Sequence, residues 1–225
     1  MTEILAHRAI IGDERENTIG AFLACKHQGV FGVELDVRLT KDGALVVHHD
    51  LGIDYVGQIP DLNLAEIPSW APRLGDALEA CGPMYVNVEI KNDPREVGYD
   101  QSGEIANLVV GEVQKHGPEY VLVSSFDLAT IDYVKLTSES VKTGFLTLRA
   151  DDDMIEMLVE RGHNSVNAHF MGLTEEFVMR ARRLGLLVCA WTVDDSEVAR
   201  KLAKWGVDYV ITNKVEELTI GLGET

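Results

Sequence analysis

Basic residues are scarce in this chain: 20 Lys and Arg stand against 37 Asp and Glu, a formal net charge of -17. A broad acidic field repels phosphate backbones and anionic lipid, so neither nucleic acid nor an anionic membrane is expected as the main partner. A small anionic substrate stays open, because a bound divalent cation inverts the local field. Most of the acidity reads simply as solubility. Cysteine is scarce too. Cys25, Cys81 and Cys189 are odd in number, widely spaced and outside any Cys-x-x-Cys pattern. That argues against a disulfide framework and for a reducing, cytoplasmic compartment, with Cys25 and Cys189 in apolar, core-like contexts. No run reaches the ~18 apolar residues of a membrane helix. Residues 1–10 lack the basic and apolar regions of a signal peptide, so no stable membrane insertion is expected. Nucleotide loops of the Gly-x-Gly-x-x-Gly or Gly-x-x-x-x-Gly-Lys-Ser/Thr kind are absent, as are Pro/Gly-rich linkers and low-complexity tracts.

What is there is a repeat. The chain has 225 residues, 46% of them hydrophobic, enough for one core and one domain over residues 1–225. A first apolar run ends in His7 and Arg8, and residues 17–25 follow with apolar spacings of three and four, capped by Asn17 or Thr18. Further strands are expected at residues 30–37, 86–90, 120–124, 143–147, 165–169, 187–191 and 209–212, with a short return strand at 44–47 after the Lys41-Asp42-Gly43 turn. Helices are expected near residues 104–115, 129–137, 152–161, 175–184 and 196–205, and Gly162, Gly185 and Gly206 each follow one. Eight strand-plus-crossover units in a chain of this length predict a (β/α)8 TIM barrel, with a doubly wound open sheet as the alternative. Residues 51–72, with Pro60, Pro68, Pro72 and Trp70, form the longest irregular stretch and are expected to cover one edge of the mouth.

Polar residues interrupt the apolar pattern at the ends of strands. Residues i and i+2 of a strand share a face. Glu34 and Asp36 therefore point together, as do Asn87, Glu89 and Lys91. In a barrel these C-terminal strand ends build the active site. Three converging carboxylates repel one another, and a divalent cation is the simplest compensation. All-oxygen ligation suits Mg2+ or Ca2+ better than zinc. The plainer alternative is ion pairing of these acids with Arg8, Arg38 or Lys91.

His7 and His49 stand near those acids and suit proton transfer near neutrality, one as acid and the other as base in either order. His48 should face elsewhere, and His27, His116 and His163 are expected at the surface. Arg8 and Lys91 offer cations for phosphate oxygens. Trp191 is either core packing or a flat wall for the substrate, and Ser125, Phe126, Asn167 and His169 are further candidates for the pocket. Met154, Met157, Met171 and Met179 read as ordinary packing.

In order and spacing these segments resemble the glycerophosphodiester phosphodiesterase family. His7-Arg8 looks like its His-Arg-Gly motif, and Glu16-Asn17-Thr18 looks like its Glu-Asn-Thr. Val33 to Val37, Thr40 to Gly43 and Val46 to Asp50 are close to the family pattern, with His49-Asp50 resembling its catalytic His-Asp. Val88 to Lys91 is similar to Ile-Glu-x-Lys, Ser125-Phe126 to Ser-Phe, Ala190 to Asp194 to Trp-Thr-Val-Asn, and Gly206 to Asn213 to the closing Gly-Val-Asp-x-Ile-Ile-Thr-Asp.

The resemblance implies a (β/α)8 barrel that hydrolyses glycerophosphodiesters to glycerol 3-phosphate and an alcohol with one divalent cation. It implies Glu34, Asp36 and Glu89 as metal ligands, His7 and His49 as the acid–base pair, Arg8 and Lys91 on phosphate, and Trp191 lining the substrate site. Ala9, Arg15 and Asn213 depart from the family's glycine, proline and aspartate. The short segment between Asp50 and Glu89 implies a single domain without the sizeable inserted subdomain of many members, and so an open mouth.

A small-molecule phosphodiester is the expected partner. Rival readings are a lysophospholipid or sphingolipid phosphodiesterase, which calls for an apolar rim that residues 51–72 supply only weakly, a barrel isomerase or aldolase acting on sugar phosphates, and a non-catalytic binding protein for phosphate ligands.

Overall fold

In the computed structural model, which describes residues 2–223, all eight apolar runs become parallel strands of one closed sheet. In chain order the strands are β1 (Glu3–Ala6), β2 (Gly32–Leu39), β3 (Leu45–Val47), β4 (Gly52–Ile53), β5 (Gly57–Gln58), β6 (Tyr85–Ile90), β7 (Val121–Ser125), β8 (Lys142–Thr147), β9 (Ser165–His169), β10 (Leu187–Trp191) and β11 (Tyr209–Thr212). The helices are α1 (Ile19–His27), α2 (Leu74–Cys81), α3 (Glu104–His116), α4 (Leu128–Thr137), α5 (Asp152–Glu160), α6 (Glu175–Arg183), α7 (Ser196–Trp205) and α8 (Val215–Gly223). β1 pairs with both β11 and β2, which closes β1, β2 and β6 to β11 into a ring. This is the (β/α)8 barrel. β3 lies outside the ring, antiparallel to the end of β2, and β4 and β5 form a small hairpin beyond it.

Strand alternation sorts side chains into two cores. Val33, Leu35, Val37, Val86, Val88, Val123, Val166 and Val188 face outward and pack beneath the helices in the larger one. Leu5, Tyr85, Leu122, Cys189 and Ile211 fill the barrel interior. Gly32 is required at the base of β2, where an added Cβ would collide with the Tyr85 carbonyl and the Leu5 side chain. The three cysteines are buried free thiols. Among the described residues no helix is long and apolar enough to cross a membrane.

Several expectations need correction. β1 stops at Ala6, and His7 and Arg8 belong to a 3-10 turn, because Arg8 (φ 51°) and Ala9 (φ 54°) leave the extended region. α2 and α8 were not expected. α2 buries Leu74, Ala77, Leu78 and Cys81 at helical spacing, but it is only eight residues long and lies between Pro72 and Gly82. Residues 51–72 are less irregular than predicted: they hold the β4–β5 hairpin and two 3-10 turns, Ile59–Asp61 and Leu64–Glu66. His163 is buried rather than superficial, bonded through Nδ1 to Thr143 Oγ1 (2.9 Å) and through Nε2 to Asp132 (3.1 Å). Met171 is a rim residue, 76% exposed, not a packing residue.

Candidate active site

The register of β2 against β6 sets the centre of the mouth. Glu34 lies opposite Asn87 and Asp36 opposite Glu89. Glu34, Asp36 and Glu89 are all buried, and each offers a carboxylate oxygen within 4.8 Å of the others. Lys91 Nζ spans two of them, at 2.5 Å from Glu89 Oε1 and 3.0 Å from Asp36 Oδ1. Arg8 Nε stands 3.6 Å from Asp36, while its Nη1 is 3.1 Å from Glu16. The ion pairs of the plainer reading therefore exist, except for Arg38, which pairs with Glu96 instead (2.7 Å).

These pairs do not balance the cluster. Arg8 divides its charge between Asp36 and Glu16, and among the described residues Glu34 accepts a hydrogen bond only from the Arg8 backbone N–H at 2.9 Å. Burial drives the Glu34 carboxyl well above the ordinary carboxylate range, and the charges of Asp36 and Glu89 add to the effect. Burial likewise raises Glu89, partly offset by Lys91. Burial would also raise Asp36, but Lys91, His49, an Asn17 hydrogen bond and Arg8 together hold it below the usual value. Three buried hard oxygen donors with too little cationic charge among them fit a divalent cation, and Glu34, Asp36 and Glu89 can coordinate one.

The turn after β1 serves this centre. The left-handed conformation of Arg8 and Ala9 aims the Arg8 N–H at Glu34. Asn17, also left-handed (φ 56°) and buried, donates Nδ2 to Asp36 Oδ2 at 2.9 Å. Left-handed backbone is costly for residues with a Cβ and collects at functional sites.

Both histidines have a partner behind them. His7 Nδ1 is 2.7 Å from Asn213 Oδ1. Asn213 Nδ2 donates to Asp194 Oδ2 at 2.8 Å, which orients the amide oxygen toward the ring. An amide oxygen only accepts, so Nδ1 of His7 carries the proton and Nε2, 4.0 Å from Glu34 Oε2, presents its lone pair. His49 Nδ1 is 2.7 Å from the Asp50 carboxylate. Burial lowers both imidazoles, with Arg8 adding to the effect on His7 and Lys91 on His49. Arg38 donates Nε to the His49 carbonyl at 2.9 Å and so ties that loop down. His48 turns away, edge-on to Trp70.

All eight residues singled out in the sequence, His7, Arg8, Glu34, Asp36, His49, Glu89, Lys91 and Trp191, line one cavity of about 270 Å³. Asn87, Phe126, Leu146, Thr192 and Ile211 complete it. Phe126 was a candidate, whereas Ser125 is buried on the Ile90 carbonyl (2.9 Å). Asn167 is buried below and accepts from Ser165 (2.6 Å), and His169 meets Trp191 edge-on at 5.2 Å. Asp194 and the orienting role of Asn213 went unseen in the sequence, since the His7–Asn213 contact spans nearly the whole chain. Trp191 Nε1 bonds the Asn167 carbonyl (2.9 Å) and its ring faces the cavity, so packing and wall coincide.

Comparison with known proteins bears on this cavity. Residues 7–217 match the model of the glycerophosphoryl diester phosphodiesterase family. A glycerophosphodiester phosphodiesterase of Caldanaerobacter subterraneus subsp. tengcongensis is 30% identical, over 96% of each chain. The crystal structure of a glycerophosphodiester phosphodiesterase from Thermotoga maritima superposes with a TM-score of 0.81 at 27% identity, over 98% of each chain. A phosphodiesterase of Oleispira antarctica, solved in complex with the product sn-glycerol-3-phosphate, shares the fold with a TM-score of 0.88 at 24% identity, over 98% of this chain and 96% of that one. The chain belongs to the glycerophosphoryl diester phosphodiesterase family.

Proposed function

We propose that this enzyme hydrolyses glycerophosphodiesters to glycerol 3-phosphate and an alcohol, with His7 and His49 moving the protons. The observation that carries the reading is the meeting of three buried carboxylates, two cations and two oriented imidazoles in one cavity. Arg8 and Lys91 would bind the phosphate oxygens, with Lys91 exchanging part of its hold on Glu89 and Asp36 for the substrate. Glu34, Asp36 and Glu89 would hold one divalent cation, which when bound supplies Lewis-acid neutralisation of phosphate charge. Hard carboxylate oxygens favour Mg2+ or Ca2+.

The partners of the two histidines suggest a division of labour. The neutral amide of Asn213 leaves His7 as a lone-pair acceptor, suited to take the proton of the attacking water or of the neighbouring glycerol hydroxyl. The Asp50 carboxylate stabilises the charged form of His49, suited to give a proton to the departing alkoxide. Phe126 and Trp191, edge-to-face at 5.5 Å, would form the wall for the rest of the substrate. Three free thiols support a cytoplasmic location.

One assay panel tests this. Purified protein is given several glycerophosphodiesters with chelator, Mg2+ and Ca2+ in turn, and the products are identified. Glycerol 3-phosphate release that depends on the cation is the expected result. Turnover that persists in chelator contradicts the metal assignment, and binding of glycerol 3-phosphate without diester hydrolysis favours a binding protein.

A further inference from the structure

We infer that Arg38 and Glu96 are positioning residues for His49: two successive hydrogen bonds tie the backbone of this histidine to the loop between β6 and α3. This rests on the phosphodiesterase reading above, in which His49 gives a proton to the departing alkoxide. It adds to that reading two residues that act through His49 and outside the catalytic cavity.

His49 lies beyond the end of β3, where the sheet no longer holds the chain. The His48 N–H bonds the Asp36 carbonyl at 3.0 Å, and Leu51 is tied down in turn by its carbonyl, which accepts the Ile59 N–H at 2.9 Å. Between these two points side chains hold His49. Its ring bonds Asp50 at 2.7 Å, and its carbonyl accepts Arg38 Nε at 2.9 Å. A general acid works only within hydrogen-bond reach of the oxygen it protonates. Asp50 is 76% exposed and belongs to the same loop, so it turns the ring without fixing where the residue stands. The Arg38 bond fixes the backbone from which the ring extends.

Arg38 stands two residues beyond Asp36 on β2, with its side chain only 7% exposed. A buried guanidinium is costly unless its donors are met. One arm of the fork meets the His49 carbonyl, and Nη1 meets Glu96 Oε2 at 2.7 Å. Among the described residues Glu96 is its one carboxylate partner.

Glu96 is itself well placed. Asn92, buried, closes the loop by donating Nδ2 to the Asp100 carbonyl at 2.9 Å and accepting the Asp100 N–H at 2.8 Å. The Glu96 N–H bonds the Asp93 carbonyl at 2.9 Å. Gly98 (φ 82°) lets the loop press on Pro60, where an added Cβ would come within 2.5 Å of the ring. Asp93, the other carboxylate of this turn, takes Arg95 Nε at 2.9 Å, which leaves Glu96 to Arg38. The same loop begins at Lys91, whose Nζ lies on Glu89 and Asp36. One loop thus carries a cation proposed for phosphate and sets the seat of the proton donor.

An ion pair that only stabilises the fold lowers every reaction alike. A positioning role makes the loss depend on whether the leaving group needs a proton. The test therefore compares glycerophosphoethanolamine, whose alkoxide needs one, with the 4-nitrophenyl ester of glycerol 3-phosphate, whose nitrophenolate does not, both with Mg2+ or Ca2+ present. On the first substrate Glu96→Ala should lower kcat about three- to tenfold, and Arg38→Lys, which keeps the charge and loses the fork, about ten- to a hundredfold, with KM little changed. Glu96→Gln keeps an oxygen for Arg38 and should recover most of the loss. Glu96 is partly exposed, so its variants leave the core intact. On the nitrophenyl ester all three should match the parent. In a His49→Ala background, Glu96→Ala should cost nothing further.

Losses that add to that of His49→Ala, or an unchanged kcat in Arg38→Lys, overturn the inference while the phosphodiesterase reading stands. Equal losses on the two substrates, where His49→Ala itself discriminates between them, do the same. If His49→Ala lowers both substrates alike, the proton-donor reading fails, and additivity with His49→Ala still decides for or against the positioning role. Absence of turnover by the parent on either substrate removes both.

Discussion

The two ends of this barrel are built on opposite terms. At the N-terminal end, Phe31, Tyr85 and Tyr209 stack on one another, with Tyr85 and Tyr209 at 4.9 Å and nearly parallel. This aromatic stacking contributes to stability. At the C-terminal end, three carboxylates crowd together in a buried setting where each raises the cost of ionising the next. Aromatic packing holds one end closed, and that stability supports a frustrated arrangement at the other. Stability and chemistry should therefore separate cleanly under mutation.

The sharpest break of that contrast is Glu89→Ala. It should lower cation-dependent turnover about a thousandfold or more while leaving a cooperative unfolding transition, since it removes a donor and not a packing group. Activity within a few-fold of the parent would remove Glu89 from the site. The converse is Tyr85→Ala at the other end. It should cost about 3–4 kcal/mol in urea denaturation, with kcat per folded molecule unchanged. A kcat loss larger than the loss of folded protein would mean that the two ends are coupled.

Between these lies Asp50→Asn, which removes the carboxylate behind His49 and should lower kcat about 10- to 100-fold with little change in Tm. An unaltered kcat would deny His49 the proton-donor role.

A gentler effect concerns pH. Glu34 holds its proton to higher pH in the folded chain than in the unfolded one, first through burial and then through Asp36 and Glu89. Its contribution is thus full below the unfolded value of about 4.3 and is lost as pH rises through the raised folded value. In chelator, the parent should lose Tm relative to Glu34→Gln as pH rises from that point, and saturating divalent cation should erase the difference. Parallel Tm curves for the two proteins would refute the burial argument.

The smallest expected effect is at Ala9, whose φ of 54° suits glycine better. Ala9→Gly relieves a left-handed Cβ but loosens the unfolded chain, for a net gain of about 0.5–1 kcal/mol, read as a Tm rise of one to three degrees. A lower Tm would show that the turn is not strained.

Much of this was legible in the sequence because the two periodicities are plain. Apolar runs marked all eight barrel strands, and Glu34, Asp36, Glu89 and Lys91 stood out as charges inside such runs. What was not legible depends on geometry that a linear pattern does not encode. The left-handed Arg8 and Ala9 look like any strand continuation. The Asn213 and Asp194 support for His7 comes from the far end of the chain. α2 is too short for its spacing to stand out beside Gly75. His163 resembles a helix-end surface residue until Thr143 and Asp132 are seen around it.

The cavity lining has one further property. Every ionisable side chain in it comes from the stretch His7 to Lys91, and the apolar wall comes from Phe126, Leu146, Trp191 and Ile211, later in the chain. Recombination or mutation within the later half can thus alter the apolar wall while the ionisable groups stay inherited as a block. Libraries confined to the loops after β7, β8 and β9 should yield a larger share of active variants with altered preference than libraries spread over the whole mouth.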